Sequence, residues 1–159
     1  MTIKYKLTET AKKLKEKGID VTPKRIQKGD VGWDLCACIE EPVPIFPDEV
    51  VKIPTGVHIW LGDGLLSKTE NNMAYAGLYL PRSGNSGLML ANTVGLLDSG
   101  YQHESFCKWR NLSNEVLTIS PGERMAQLVV IPAFITSWEY VDDFGITTGR
   151  GKGDGSSGK

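Results

Sequence analysis

The chain has 159 residues, long enough to bury a core without disulfide staples and short enough to expect one domain. Eighteen basic against nineteen acidic side chains leave a formal charge of -1, which excludes a bulk positive field for nucleic acid or an anionic membrane. Any anion must therefore be held by local geometry. Three cysteines (Cys36, Cys38 and Cys107) form no Cys-x-x-Cys pair, so free thiols in a reducing compartment are expected rather than a disulfide scaffold.

Met1 to Leu7 lacks the apolar stretch of a signal peptide, and no apolar run approaches the ~18 residues that span a bilayer. The expectation is a soluble, cytoplasmic protein. Ile3 to Leu7 alternates polar and apolar residues and predicts a first strand. Thr8 to Lys17 predicts a surface helix: Thr8 caps it, lysines crowd its C-terminal half, Gly18 stops it, and Ala11 and Leu14 make a thin apolar stripe. Cys36 and Cys38 share one face of the strand expected next, as small buried hydrophobes; with two scattered histidines they are too few for a zinc site.

From there Gly and Pro punctuate the chain at short intervals. Between them lie runs rich in Val, Ile, Trp, Tyr and Thr: Glu49–Ile53, Val57–Leu61, Ala74–Leu80, Phe106–Asn111, Val116–Ile119 and Met125–Ile131. Many short strands with frequent turn signals predict an all-β jelly roll or barrel, spanning residues 1–148, with a loop over Ser67 to Asn72. Residues 149–159, almost all Gly, Ser, Lys and Asp, cannot pack a core and are expected to form a flexible flap.

Four segments carry candidate chemistry. Gly95-Leu96-Leu97-Asp98-Ser99-Gly100-Tyr101 sets a carboxylate and a ring three residues apart on a turn too glycine-rich for a helix. Pro81-Arg82-Ser83-Gly84 follows a strand and offers a guanidinium fork and a hydroxyl, which suit phosphate oxygens; a plain turn with a surface ion pair would use the same residues. Gly122-Glu123-Arg124-Met125-Ala126-Gln127 is a tight turn with exposed charges, followed by a partly buried Gln127 that needs hydrogen-bond partners. The run from Arg150 is either a plain tail or a flap of backbone N–H donors around a polyphosphate; it is no P-loop, since no Gly-x-x-x-x-Gly-Lys-Ser/Thr precedes a helix.

In this order, and with Val31-Gly32-Trp33-Asp34-Leu35-Cys36-Ala37 before them, the segments resemble the five motifs of the trimeric, all-β dUTPases. The resemblance runs from about Val31 to the C-terminus. It implies a homotrimer with active sites between subunits, and hydrolysis of dUTP to dUMP and pyrophosphate with Mg²⁺ on the triphosphate. It also implies roles. Asp98 is the base for the attacking water, and Tyr101 stacks on the deoxyribose. Asn92 and the backbone from Gly95 to Leu97 read the uracil edge. Arg82, Ser83, Gly84 and Gln127 hold phosphates; Arg150, Gly151 and Ser156 close over them. Asp34 supports the metal through water, with no direct protein ligand.

The chain departs from the family pattern in places. No ring interrupts Gly153-Asp154-Gly155, no basic residue follows Gly84, and Gly100 and His103 stand where an acid and a glycine are usual. A crowded base-reading hairpin and acceptance of a modified pyrimidine are the expectations these departures raise. Two alternatives stay open: a dCTP deaminase, disfavoured because Lys108 stands where a catalytic Glu would be, and a non-catalytic nucleotide-sensing or partner-binding module.

Overall fold

The computed structural model describes residues 2–62 and 73–146. Within them the chain runs β1 (Lys4–Leu7), α1 (Glu9–Glu16), β2 (Trp33–Cys36), β3 (Val43–Ile45), β4 (Val50–Trp60), β5 (Met73–Pro81), β6 (Leu88–Leu90), β7 (Gly95–Leu97), β8 (Glu104–Asn111), β9 (Leu117–Ile119) and β10 (Arg124–Phe134). Two four-stranded sheets, ordered β1-β4-β8-β6 and β2-β10-β5-β7, and a ribbon of β3 and β9 make a distorted jelly roll. All named strand pairs are antiparallel. The expected loop at 67–72 and the flap at 149–159 lie outside the described residues. Among those described, no helix is long and apolar enough to cross a membrane.

Alternation builds the core. Every second residue of β8 (Ser105, Cys107, Trp109, Asn111) is buried, and Trp109 and Cys107 meet Leu35, Ile53, Leu90 and Met125 between the sheets. The helix is local in origin. Thr8 Oγ1 accepts from Ala11 N at 3.2 Å, and beyond Gly18 (φ +86°) the Ile19 N–H returns to Leu14 O at 2.9 Å, so both ends are closed. Ala11 and Leu14 pack with Val21, Cys36 and Cys38 in a second, smaller cluster. Burial pushes the Cys36 and Cys38 thiols up, consistent with inert, protonated sulfur.

One expectation fails here. Glu49–Ile53 and Val57–Leu61 are not two strands; Pro54-Thr55-Gly56 is absorbed into a single β4. The register against β8 shifts between Pro54 and His58, and the deformation is held by specific bonds. Gly56, at φ +74°, donates to Glu104 Oε1 at 2.9 Å, and Thr55 Oγ1 donates to Ser105 O at 2.8 Å. A β-carbon at Gly56 would come within 2.6 Å of Cys38 Sγ, so the kink also seats the helix cluster.

Candidate active site

β5 is the spine of the site. On one side it pairs with β7, matching Tyr79 with Gly95 and Gly77 with Leu97; β7 ends its sheet, leaving an outer backbone edge unpaired among the described residues. That edge, Asn92, Asp98 and the Tyr101 ring surround a concavity of about 380 Å³, whose remaining wall is Tyr79, Ser105 and Phe106. Glycine at position 95 keeps this corner open, since a β-carbon would stand 3.0 Å from Asn92 Nδ2 and 3.1 Å from Tyr79 Cδ2 and push those side chains aside. Asn92 is oriented by its surroundings: Lys108 N–H donates to Asn92 Oδ1 at 3.1 Å, which leaves Nδ2 to donate elsewhere.

Asp98 is exposed, and its carbonyl accepts from Tyr101 N at 3.0 Å, closing the turn that aims both side chains at the concavity. Tyr101 Oη donates to Glu104 O at 3.3 Å. His103 does not crowd the hairpin as expected. It is exposed, lies outside the lining of this concavity, and meets Tyr101 edge-on with ring centroids 5.5 Å apart.

Where β5 ends, Arg82 enters a second concavity of about 360 Å³, lined also by Gly32, Asp34, Ser83, Arg124 and Gln127. Asp34 is its hub. Arg82 Nε donates to Asp34 Oδ1 at 2.8 Å and Arg124 Nη1 to Asp34 Oδ2 at 3.0 Å, while Arg82 Nη1 reaches Arg124 O at 2.9 Å. Backbone bonds with Lys24 lock Asp34 on one side, and it is paired with Gln127 on the other. The expected partner of Gln127 is the carbonyl of Pro81, at 3.0 Å from Nε2. Gly32 makes room for this amide, since a β-carbon there would sit 2.5 Å from Gln127 Oε1.

Two guanidinium groups around one carboxylate, with an exposed hydroxyl at Ser83, make a surface suited to phosphate oxygens. Gly84 lies beside it, exposed and with no atom near its missing β-carbon. Among the described residues no three His, Cys, Asp or Glu side chains converge to form a metal cage. Arg150, Gly151 and Ser156 lie outside the described residues.

Arg124 lines the second concavity, although the sequence presents it only as an exposed turn charge. Arg124 and Gln127, three apart, would face opposite ways on a regular strand. The register shift between Arg124 and Ala126 inserts one residue, so both address the same concavity. Tyr79 and Ser105 were equally hidden, because alternation marks them only as core.

A family model described as dUTPase matches residues 19–158. A deoxyuridine 5'-triphosphate nucleotidohydrolase of Legionella pneumophila (strain Paris) is 43% identical over 135 residues, covering 82% of each chain. One from Neisseria meningitidis serogroup B is 40% identical over 151 residues, covering 92% of this chain and 94% of its own. Among solved structures, a mutant dUTPase of Staphylococcus bacteriophage 80alpha with dUpNHpp aligns with a TM-score of 0.75 at 26% identity, covering 99% of both chains.

Proposed function

The chain belongs to the dUTPase family, and on that premise we propose that it hydrolyses dUTP to dUMP and pyrophosphate, with the first concavity as nucleoside site and the second as phosphate site. The observation that carries this is the gathering of Asp98, Tyr101, Asn92 and a free strand edge around one small cavity.

Asp98 accepts a proton from water as its oxygen bonds to the α-phosphorus; the bond from that phosphorus to the β-phosphate bridging oxygen breaks, and pyrophosphate leaves. Such a step needs alignment and charge neutralisation more than covalent help from the protein. Tyr101 packs under the deoxyribose. Asn92 Nδ2, its orientation set by Lys108, donates to a uracil carbonyl, while the β7 backbone from Gly95 to Leu97 pairs with the rest of the base edge. Arg82, Ser83, Gly84 and Gln127 take the phosphates, joined by Arg124; Arg150, Gly151 and Ser156 close over them. Mg²⁺ supplies charge neutralisation on the triphosphate. It would fit this donor set because it favours phosphate oxygens and retained water over a protein cage. Asp34, whose two carboxylate oxygens are held by Arg82 and Arg124, would support it only indirectly, by orienting those arginines toward the phosphates.

The two concavities share no lining residue, which supports a site completed between copies of the chain, in a homotrimer. So does the segment after β10, where Trp138, Tyr140, Phe144 and Ile146 stand more than three-quarters exposed.

The test is pyrophosphate release by the full chain from dUTP, dCTP, dTTP and 5-substituted dUTP with Mg²⁺. dUTP should be the preferred substrate. Asp98→Asn should lower turnover by about 10²–10⁴-fold while retaining nucleotide binding. Binding without any wild-type turnover would instead make the protein a nucleotide-sensing module.

A further inference from the structure

The wall of the first concavity holds a polar pair that the reaction as proposed does not use. Tyr79 on β5 and Ser105 on β8 are 6% and 2% exposed, and Tyr79 Oη donates to Ser105 Oγ at 2.6 Å. Ser105 is also pinned through its backbone, where its carbonyl accepts from Thr55 Oγ1. Burial raises the Tyr79 phenol to about 12, so it remains a donor across the neutral range.

Two hydroxyls own two hydrogens, and the bond between them consumes one. With the phenol donating, the Ser105 hydrogen is left over, and no acceptor takes it among the described residues. A buried hydroxyl hydrogen is costly to leave unpaired, yet this residue lines an open cavity. A ligand atom that accepts and does not donate would complete the count.

We propose that Ser105 is a specificity residue, its hydroxyl donating to a carbonyl oxygen of the pyrimidine while Tyr79 fixes the hydroxyl rotor. The proposal rests on the first concavity being the base site. It adds a side-chain contact from β8 to those of Asn92 and the β7 edge, at a position sequence alternation assigns to the core.

The experiment compares wild type, Ser105→Ala and Tyr79→Phe on dUTP, 2-thio-dUTP and 4-thio-dUTP, with thermal unfolding of each variant alongside. Sulfur accepts a hydrogen bond poorly, so wild type should discriminate by about tenfold in kcat/KM against the thio analogue at each carbonyl that a protein group donates to, the Ser105 position among them. Ser105→Ala should erase that preference at the same position and leave the other unchanged, with KM rising more than kcat falls. Tyr79→Phe should weaken the same preference, and it carries the comparison should Ser105→Ala fail to fold. The assignment is overturned if wild type shows neither preference, or if the variants change all three substrates by one common factor. Absence of dUTP turnover by wild type would instead overturn the underlying substrate assignment.

Discussion

Asp34 spends both carboxylate oxygens on arginines, one from each of two distant turns, and only 13% of its side chain is exposed. Its removal leaves two guanidinium groups facing each other with no counter-charge. Asp34→Ala should therefore destabilise the fold by about 2–4 kcal/mol in urea unfolding, and raise KM for the nucleotide more than it lowers kcat. A second residue-scale prediction concerns alkali. Burial raises both Cys107, from 9.0 to about 12, and Tyr79, from 10.0 to about 12. Folding keeps each group protonated above its unfolded pKa, so the stability they contribute is present below pH 9 and is lost as pH climbs from 9 toward 12. Each titrating group adds a slope of about 1.4 kcal/mol per pH unit. Chemical denaturation across that window should show the decline, and Cys107→Ala should make it shallower while leaving its onset near pH 9, because burial also raises the Cys36 and Cys38 thiols.

Among the elements, α1 was legible because everything that makes it is local: cap, charge gradient, stop glycine and a two-residue apolar stripe. β5, β8 and β10 were legible from their β-branched and aromatic runs. β4 departs from the two strands its sequence predicts, because Pro54-Thr55-Gly56 looks like a turn until Glu104 and Ser105, from another strand, satisfy its polar groups. β6 and β7, three residues each, fall below any periodicity signal, although β7 lies at the centre of the site. Asn111 shows the same dependence on distant partners. It is fully buried at the end of β8, with Nδ2 donating to Ile45 O and Glu115 O and Oδ1 accepting from Ser113 N and Oγ. This one amide ties β8 to the ribbon of β3 and β9. Asn111→Ala orphans several of these groups at once and should cost about 2–4 kcal/mol in thermal or urea unfolding.

For the whole molecule, the division of the site between two concavities makes a testable statement about assembly. Asp98→Asn and Arg82→Ala should each be nearly inactive alone. If a site takes its base from one copy and its arginines from another, unfolding and refolding a 1:1 mixture should restore about a quarter of wild-type activity, because half the chains supply each intact half. Light scattering should give three times the chain mass. No recovery in the mixture would mean that both halves of each site come from one chain.

The sequence by itself determined the class of strands, the helix with its caps, and the ordered segments that identify the family, because each of these is written in neighbouring residues. Tertiary structure alone decided that Arg124 and Gln127 share a face, since an inserted residue in a strand reveals itself only against its partner. It also decided that Asp34 joins two arginines, and that the Tyr79 and Ser105 hydroxyls meet in the wall of a cavity. Each of those depends on register between strands far apart in the chain, where one residue of slippage turns a side chain to the opposite face.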